Sequence, residues 1–378
     1  MTKSSNQHSD LKRQIGQLLV VGFDGTEMSG QLQALLTRIQ PAGVILFARN
    51  IETAPQTHKL LQDCQKSVIA PLLTCVDLEG GRVDRFRNVF GRAPAAADVF
   101  STGDRKLYRK HGKVIGESCR ALGFNVDFAP VVDLAFEASK NVMSSRAVSA
   151  DPKQAVLYAR EFLAGLQSAG VVGAVKHFPG LGEANLDTHH ELPSVNKSFR
   201  KLWDEDILPY RIMRREMPLV LIGHANYPQV TNDGSPASLS KKWITQILKK
   251  KIGYRGLIVS DDLEMGGVLK AAPIEQAAVQ HIRAGGDVCL ICHIEEYVSR
   301  SYETLLKEAE RSSAFRKRVA ESAVRVAAFK KKFLRTKRKT ALPTQTKIES
   351  LSRQLWEFSE QIRMGRIRLQ ASQQRDRA

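Results

Sequence analysis

Two short stretches of this 378-residue chain carry side chains whose types and spacing could do chemistry: KHFPGLGEANLDTHHELP, Lys176 to Pro193, and IVSDDLEM, Ile258 to Met265. In the first, Pro179, Gly180 and Gly182 lead into Asp187-Thr188-His189, an acid two residues from an imidazole on a loop able to swing. The Asp187 carboxylate can hold the ring tautomer and stabilise the imidazolium. The other nitrogen of His189 is then left to give or take a proton near an unperturbed pKa of about 6.5. In the second stretch, Asp261 stands where an in-facing carboxylate could attack a sugar carbon, with Asp262 turned outward or bracing the loop. A nucleophile and an acid on opposite sides of one glycosidic bond is the arrangement of retaining chemistry. The second group is usually a carboxylic acid, and a His–Asp pair would replace it here.

The elements that must position these groups repeat along the first 300 residues. Short β-branched and aliphatic runs occur at Leu18–Phe23, Gly43–Phe47, Leu72–Val76, Phe124–Phe128, Gly173–His177, Leu219–Gly223, Leu257–Ser260 and Asp287–Cys292. Helical stretches separate them: Ser29–Ile39, Ala54–Val68, Asp104–Leu122, Pro152–Ala169, Phe199–Arg214, Lys241–Ile252 and Ile274–Ala284, with Asp151 and Ser240 placed as N-caps. Strands alternating with helices imply parallel pairing, and eight such units close a (β/α)8 TIM barrel. The alternative is an open doubly wound sheet, but GFDGTEMSG after the first run lacks the glycine spacing of a dinucleotide fingerprint. In a barrel, chemistry sits at the carboxyl ends of the strands. That is where Asp77 with Glu79, Asp127, Lys176 with His177, His224, and Asp261 with Asp262 fall.

Composition narrows the setting. An apolar share of 43% with 25% charged residues fits a globular protein, and the formal net charge is +18. Positions 301–378 hold 20 Lys and Arg against 8 Asp and Glu, so most of the basicity belongs to the C-terminal fifth. Five cysteines are too few for a disulfide framework in a chain this long. With a polar N-terminus and no long apolar run, they point to a cytoplasmic setting. Cys289 and Cys292 have the spacing of half a zinc site but lie in an apolar run with no second pair, which favours buried thiols.

Together, Lys176 to Pro193, VDLEGGRVDRF (Val76 to Phe86) and SDDLEM resemble the β-N-acetylhexosaminidases of glycoside hydrolase family 3, in order and approximate spacing, over about Gln14 to Ala328. The resemblance implies that Asp261 is the nucleophile, His189 the acid/base and Asp187 its partner. It assigns sugar binding to Asp77, Arg85, Arg146, Lys176 and His177, with no cofactor and no metal. The implied substrate carries a terminal β-linked N-acetylglucosamine, which in cytoplasmic members typically comes from recycled cell-wall muropeptides. Leu78, Leu181, Glu183, Ala184 and Thr188 depart from the commonest family pattern and bear on loop conformation, rate and fine specificity.

The expected organisation is one catalytic domain over residues 10–340, followed by a basic, partly helical extension over residues 341–378. In the extension Ile348, Leu351, Leu355, Phe358 and Ile362 recur at helical steps. No obligate nucleic-acid or membrane partner is expected. The extension offers contacts with the barrel, with a second subunit or with an anionic surface. Competing readings are a β-glucosidase or phosphorylase of the same family and, from another class, a metal-dependent barrel hydrolase or an anionic-surface-binding protein.

Overall fold

A computed structural model describes residues 3–184, 192–334 and 341–375, apart from the side chains of residues 3–7 and 369–375. Among the described residues ten strands follow in chain order: β1 (Leu19–Val21), β2 (Gly43–Ile45), β3 (Leu73–Val76), β4 (Leu78–Gly80), β5 (Val83–Asp84), β6 (Val126–Asp127), β7 (Val172–Phe178), β8 (Leu219–Ile222), β9 (Leu257–Asp262) and β10 (Val288–Ile291). Eight of them form a closed barrel in the order β1-β10-β9-β8-β7-β6-β3-β2, every pair parallel. These are the eight runs read from the sequence. The remaining two, β4 and β5, form a small antiparallel hairpin above β3 that the sequence reading did not separate out.

Alternation along each strand sorts the core into two layers. Val20, Ile45, Leu73, Cys75, Val126, Val172, Ala174, Leu257, Val259, Val288 and Leu290 share one buried cluster inside the barrel. Residues of the opposite parity pack outward against the helices. Val326 and Phe329, near the end of helix Ser313–Phe333, join the inner cluster and close the amino end of the barrel as a floor.

The helices start where capping groups are available. Asp151 accepts from the Lys153 amide at 2.8 Å, and Thr53 with Gln56 forms a capping box. Two expectations change. Ser240 caps nothing with its side chain; only its carbonyl accepts, from the Ile244 amide at 3.0 Å, and the following helix, Lys242–Lys251, is wound as a π-helix. The stretch read as one helix over Phe199–Arg214 is two, Phe199–Asp204 and Leu208–Met213. Asp206 between them turns inward to the buried Lys197 ammonium (2.7 Å), and Pro209 suits the first turn of a new helix.

The extension forms helix Gln345–Arg375, which carries Arg363, Arg366 and Arg368 in its second half. Its apolar stripe, Leu351, Leu355, Phe358 and Ile362, is buried in the same cluster as the barrel's outer helices. Lys110 donates to Gln361 (2.8 Å) and lies over the Phe358 ring, which ties the extension to helix Arg105–Leu122. No helix among the described residues is long and apolar enough to cross a membrane.

Candidate active site

The inward parity of three strands carries the apolar interior directly into a charged mouth. Cys75 is followed two residues on by Asp77, Ala174 by Lys176 and Val259 by Asp261. Lys176 Nζ reaches Asp77 Oδ1 at 2.7 Å, a contact between β7 and the end of β3 that requires both side chains to point into the barrel. The Lys176–His177 peptide is cis.

Around this pair a continuous network of buried charge is assembled. Glu79 on β4 accepts from Lys176 Nζ (2.7 Å) and takes the Arg146 guanidinium side-on, Nε at 2.7 Å and Nη2 at 2.8 Å. Arg146 Nη2 lies 3.4 Å from His177 Nε2, and His177 Nδ1 meets Asp133 Oδ2 at 2.6 Å. Asp133 is fully enclosed, and its other oxygen accepts from the Leu181 amide at 2.7 Å.

The hairpin exists because of its glycines. Gly80 and Gly81 have φ of +83° and +60°, and a Cβ on Gly80 would fall 2.2 Å from the Pro94 carbonyl oxygen. That close turn fixes Glu79 beside β7 and leads into Asp84, whose two oxygens accept from the Phe86 and Ala93 amides.

Asp261 ends the interior series on β9, and its Oδ1 accepts from the Asp262 amide at 2.9 Å. Burial pushes its carboxyl upward, but His177, His224 and Lys176 outweigh that effect and hold it below the usual carboxylate range. The group therefore stays ionised and carries its lone pairs into the mouth. Lys176 shows the converse balance: burial disfavours its charge, yet Asp77 and Glu79 raise its pKa above the ordinary lysine value.

Of the residues singled out in the sequence, Asp77, Lys176, Arg146, His177 and Asp261 are brought to one mouth. Arg85 stands at its side, with its guanidinium 5.5 Å from the centre of the Phe47 ring and its Nε without a hydrogen-bond partner among the described residues. Asp187 and His189 lie outside the described residues. Asp262 braces the loop, accepting from the Glu264 amide at 3.0 Å and pairing with His293 at 3.2 Å. His224 is a wall residue, bonded to Ser238 Oγ (2.7 Å) and the Asp262 carbonyl (2.9 Å). Asp127 turns away from the interior and anchors the hairpin through the Leu78 amide at 2.9 Å.

The sequence places Glu79 beside Asp77 at the carboxyl ends of the strands without assigning it to catalysis or sugar binding, and it does not single out Asp133. Glu79 lies within the quoted VDLEGGRVDRF motif, where the signal was its acidic charge next to paired glycines. Asp133 had no comparable signal. Glu183, one of the departures from the family pattern, is held by Lys197 and Lys201, each at 3.3 Å.

A closed parallel barrel with carboxylates and hydrogen-bond donors gathered at the carboxyl ends of its strands is the architecture of the (β/α)8 enzymes. Residues 10–329 match the glycosyl hydrolase family 3 N-terminal domain. The chain belongs to that family and is a glycosidase. It is 36% identical over 283 residues to a beta-hexosaminidase of Bordetella avium (strain 197N), covering 73% of this chain and 80% of the relative. It is 35% identical over 288 residues to a beta-hexosaminidase of Xanthomonas oryzae pv. oryzae (strain KACC10331 / KXO85), covering 74% and 84%. A solved glycoside hydrolase family 3 beta-N-acetylglucosaminidase from Paenibacillus sp. str. FPU-7 superposes with a TM-score of 0.83 at 31% identity, covering 92% of this chain and 68% of that one.

Proposed function

We propose that this glycosidase is a retaining β-N-acetylhexosaminidase that removes terminal β-linked N-acetylglucosamine through a glycosyl-enzyme intermediate on Asp261. The observation that carries the proposal is the place of Asp261 on β9, two residues beyond the interior Val259, at the same end of the barrel as the Lys176–Glu79–Arg146 network. The names of the relatives support the sugar.

In the first displacement an Asp261 oxygen attacks the anomeric carbon, while the bond to the leaving oxygen breaks and His189 supplies that oxygen's proton. In the second, His189 takes a proton from water, the hydroxyl adds to the anomeric carbon and Asp261 departs as carboxylate, with net retention. Asp187 holds the His189 ring and offsets its charge. The roles of His189 and Asp187 rest on the family resemblance. Asp77, Arg85, Arg146, Lys176 and His177 hold the sugar through its hydroxyls and acetamido carbonyl.

By the same resemblance the natural substrate is a muropeptide fragment of the cell wall met in the cytoplasm, with the sugar linked to an anhydro-muramic acid. The basic outer face of helix Gln345–Arg375, where Trp356 is exposed, is where an oligomer or anionic-surface contact would form.

The test is turnover of matched aryl β-N-acetylglucosaminide and aryl β-glucoside by the purified protein, with and without phosphate. The acetamido sugar should be strongly preferred and the product should be the free sugar. Equal turnover of both glycosides would defeat the assignment, and a sugar phosphate as product would replace hydrolysis by phosphorolysis. His189→Ala should slow substrates with poor leaving groups more than activated aryl glycosides. Equal losses on both would remove His189 as the acid.

A further inference from the structure

Arginine and lysine side by side in a partly buried pocket make, by their chemistry, a site for anions. The planar fork of Arg takes carboxylate or phosphate side-on, and Lys adds a point charge. In this mouth the fork is already filled from within. The Nε and Nη2 edge of Arg146 is taken by both oxygens of Glu79, at 2.7 and 2.8 Å, where a ligand's carboxylate or phosphate would otherwise dock. The same Glu79 takes one N–H of Lys176 at 2.7 Å, and Asp77 takes another at 2.7 Å.

Among the described residues, one N–H of Lys176 has no acceptor. On Arg146 the second Nη2 hydrogen is taken up by His177 Nε2 at 3.4 Å, and the two Nη1 hydrogens remain. Around these free donors, Lys176 and Arg146 are matched by Asp77 and Glu79. His177 leans on Asp133, and Asp261 adds a further carboxylate. Among the described residues, Arg49 and Arg85 are the cations over the Phe47 ring at the side of the mouth, at 4.8 and 5.5 Å, and Arg49 is paired with Asp24 at 2.7 Å.

We infer that Glu79 is a specificity-determining residue of this site. By pairing internally with Arg146 and Lys176, it leaves their spare N–H groups to donate without surplus positive charge, so that the pocket selects a neutral sugar and rejects its anionic counterparts. The inference rests on the reading that the sugar lies against Lys176 and Arg146. Glu79 is suited to the part because it is only 4% exposed in its side chain and is fixed on β4 by the glycine turn. Burial alone would favour its protonated form, but the adjacent Arg146 and Lys176 charges hold its carboxyl well below the ordinary range, so the charge persists at any working pH.

The experiment measures inhibition constants for N-acetylglucosamine and N-acetylglucosamine 6-phosphate against turnover of an aryl β-N-acetylglucosaminide. It compares wild type, Glu79→Gln and Glu79→Asp at low ionic strength, where a charge effect is least screened. Wild type should bind the phosphorylated sugar at least about tenfold more weakly than the neutral one. Glu79→Gln should narrow that ratio by about tenfold or more while raising KM for the neutral glycoside. Glu79→Asp keeps the charge and should keep the discrimination, even where its shorter reach raises KM.

A purely structural role for Glu79 would weaken both ligands alike and leave the ratio unchanged, and that result overturns the inference. Wild type without discrimination overturns it equally. Where Glu79→Gln does not fold, the double variant E79Q/R146Q removes both charges of the pair. It should retain the wild-type ratio, and a gain in anion affinity there also overturns the inference. Wild-type protein with no turnover of the aryl β-N-acetylglucosaminide defeats the functional reading itself. Turnover with an unchanged ratio in Glu79→Gln defeats the role of Glu79 alone.

Discussion

The barrel buries charge at both ends, and the two ends use it differently. At the floor, Asp287 just before β10 is fully enclosed and accepts from Arg318 Nη2 at 2.8 Å, from Arg325 Nε at 3.0 Å and from the Ile258 amide at 3.1 Å. Arg318 spends further donors on the Gly285 and Gly286 carbonyls and on Ser322, and Arg325 reaches the Gly256 carbonyl. These cations tie helix Ser313–Phe333 to the start of β9 and β10, and they are largely saturated by protein acceptors.

At the mouth, Lys176 and Arg146 are equally well paired, but each keeps an N–H that no described residue accepts, and among the described residues Asp261 accepts from a single amide, at 2.9 Å. A buried charge whose hydrogen bonds close on the protein serves the fold. One that retains unspent capacity facing a cavity serves a ligand.

Four substitutions would break or sharpen this contrast. Asp261→Asn is expected to have the largest effect, lowering kcat by roughly a thousandfold or more with the denaturation midpoint nearly unchanged. A loss of stability in place of activity would move Asp261 into the structural group. Asp287→Asn should do the reverse. Leaving the floor cations without their carboxylate costs about 3 kcal/mol or more in a denaturant titration, while kcat/KM of the folded protein stays within about twofold of wild type. A selective drop in kcat would couple the two ends.

Next in size is Leu355→Ala on the C-terminal helix, expected to cost about 2 kcal/mol because Leu355 is buried against the barrel's outer helices. A change within measurement error would mean that the helix does not dock as described.

The last substitution probes a pH dependence at the floor. Burial pushes the Lys330 ammonium down to about 7 from its ordinary 10.5, while its Nζ bonds Gln17 Oε1 at 2.7 Å. Between pH 7 and 10.5 the unfolded chain then holds more protons than the folded one, so this residue's contribution to stability rises with pH across that window. Below pH 7 the full cost of the buried charge applies. Lys330→Met should therefore raise the melting temperature most near pH 6 and least near pH 10. An advantage that grows with pH would reverse the assigned cause.

The floor and the mouth also differ in how readily they could be read in advance. The closing helix was legible because Val319, Ala323, Val326 and Phe329 recur at helical spacing, and all four are buried on it. The C-terminal stripe was legible for the same reason. The eight strands could be counted because a buried parallel strand is a short apolar run bounded by turn residues. At the mouth, Asp77, Lys176 and Asp261 could be placed by continuing each strand's alternation, but their partners could not. Glu79 meets Arg146 across 67 positions and Asp133 meets His177 across 44. No local pattern marks such pairs.

The amino-acid sequence by itself determined how many strands the barrel would have and which ionisable groups would stand at the carboxyl ends of its strands. Those properties follow from periodicity and composition, which act over a few residues. Tertiary structure alone decided which charges neutralise one another, which keep donors to spare, and that a two-residue glycine turn sets a carboxylate into the fork of a distant arginine. Pairing energies depend on separations of a few ångströms, and only closure of the barrel brings residues from different strands that close.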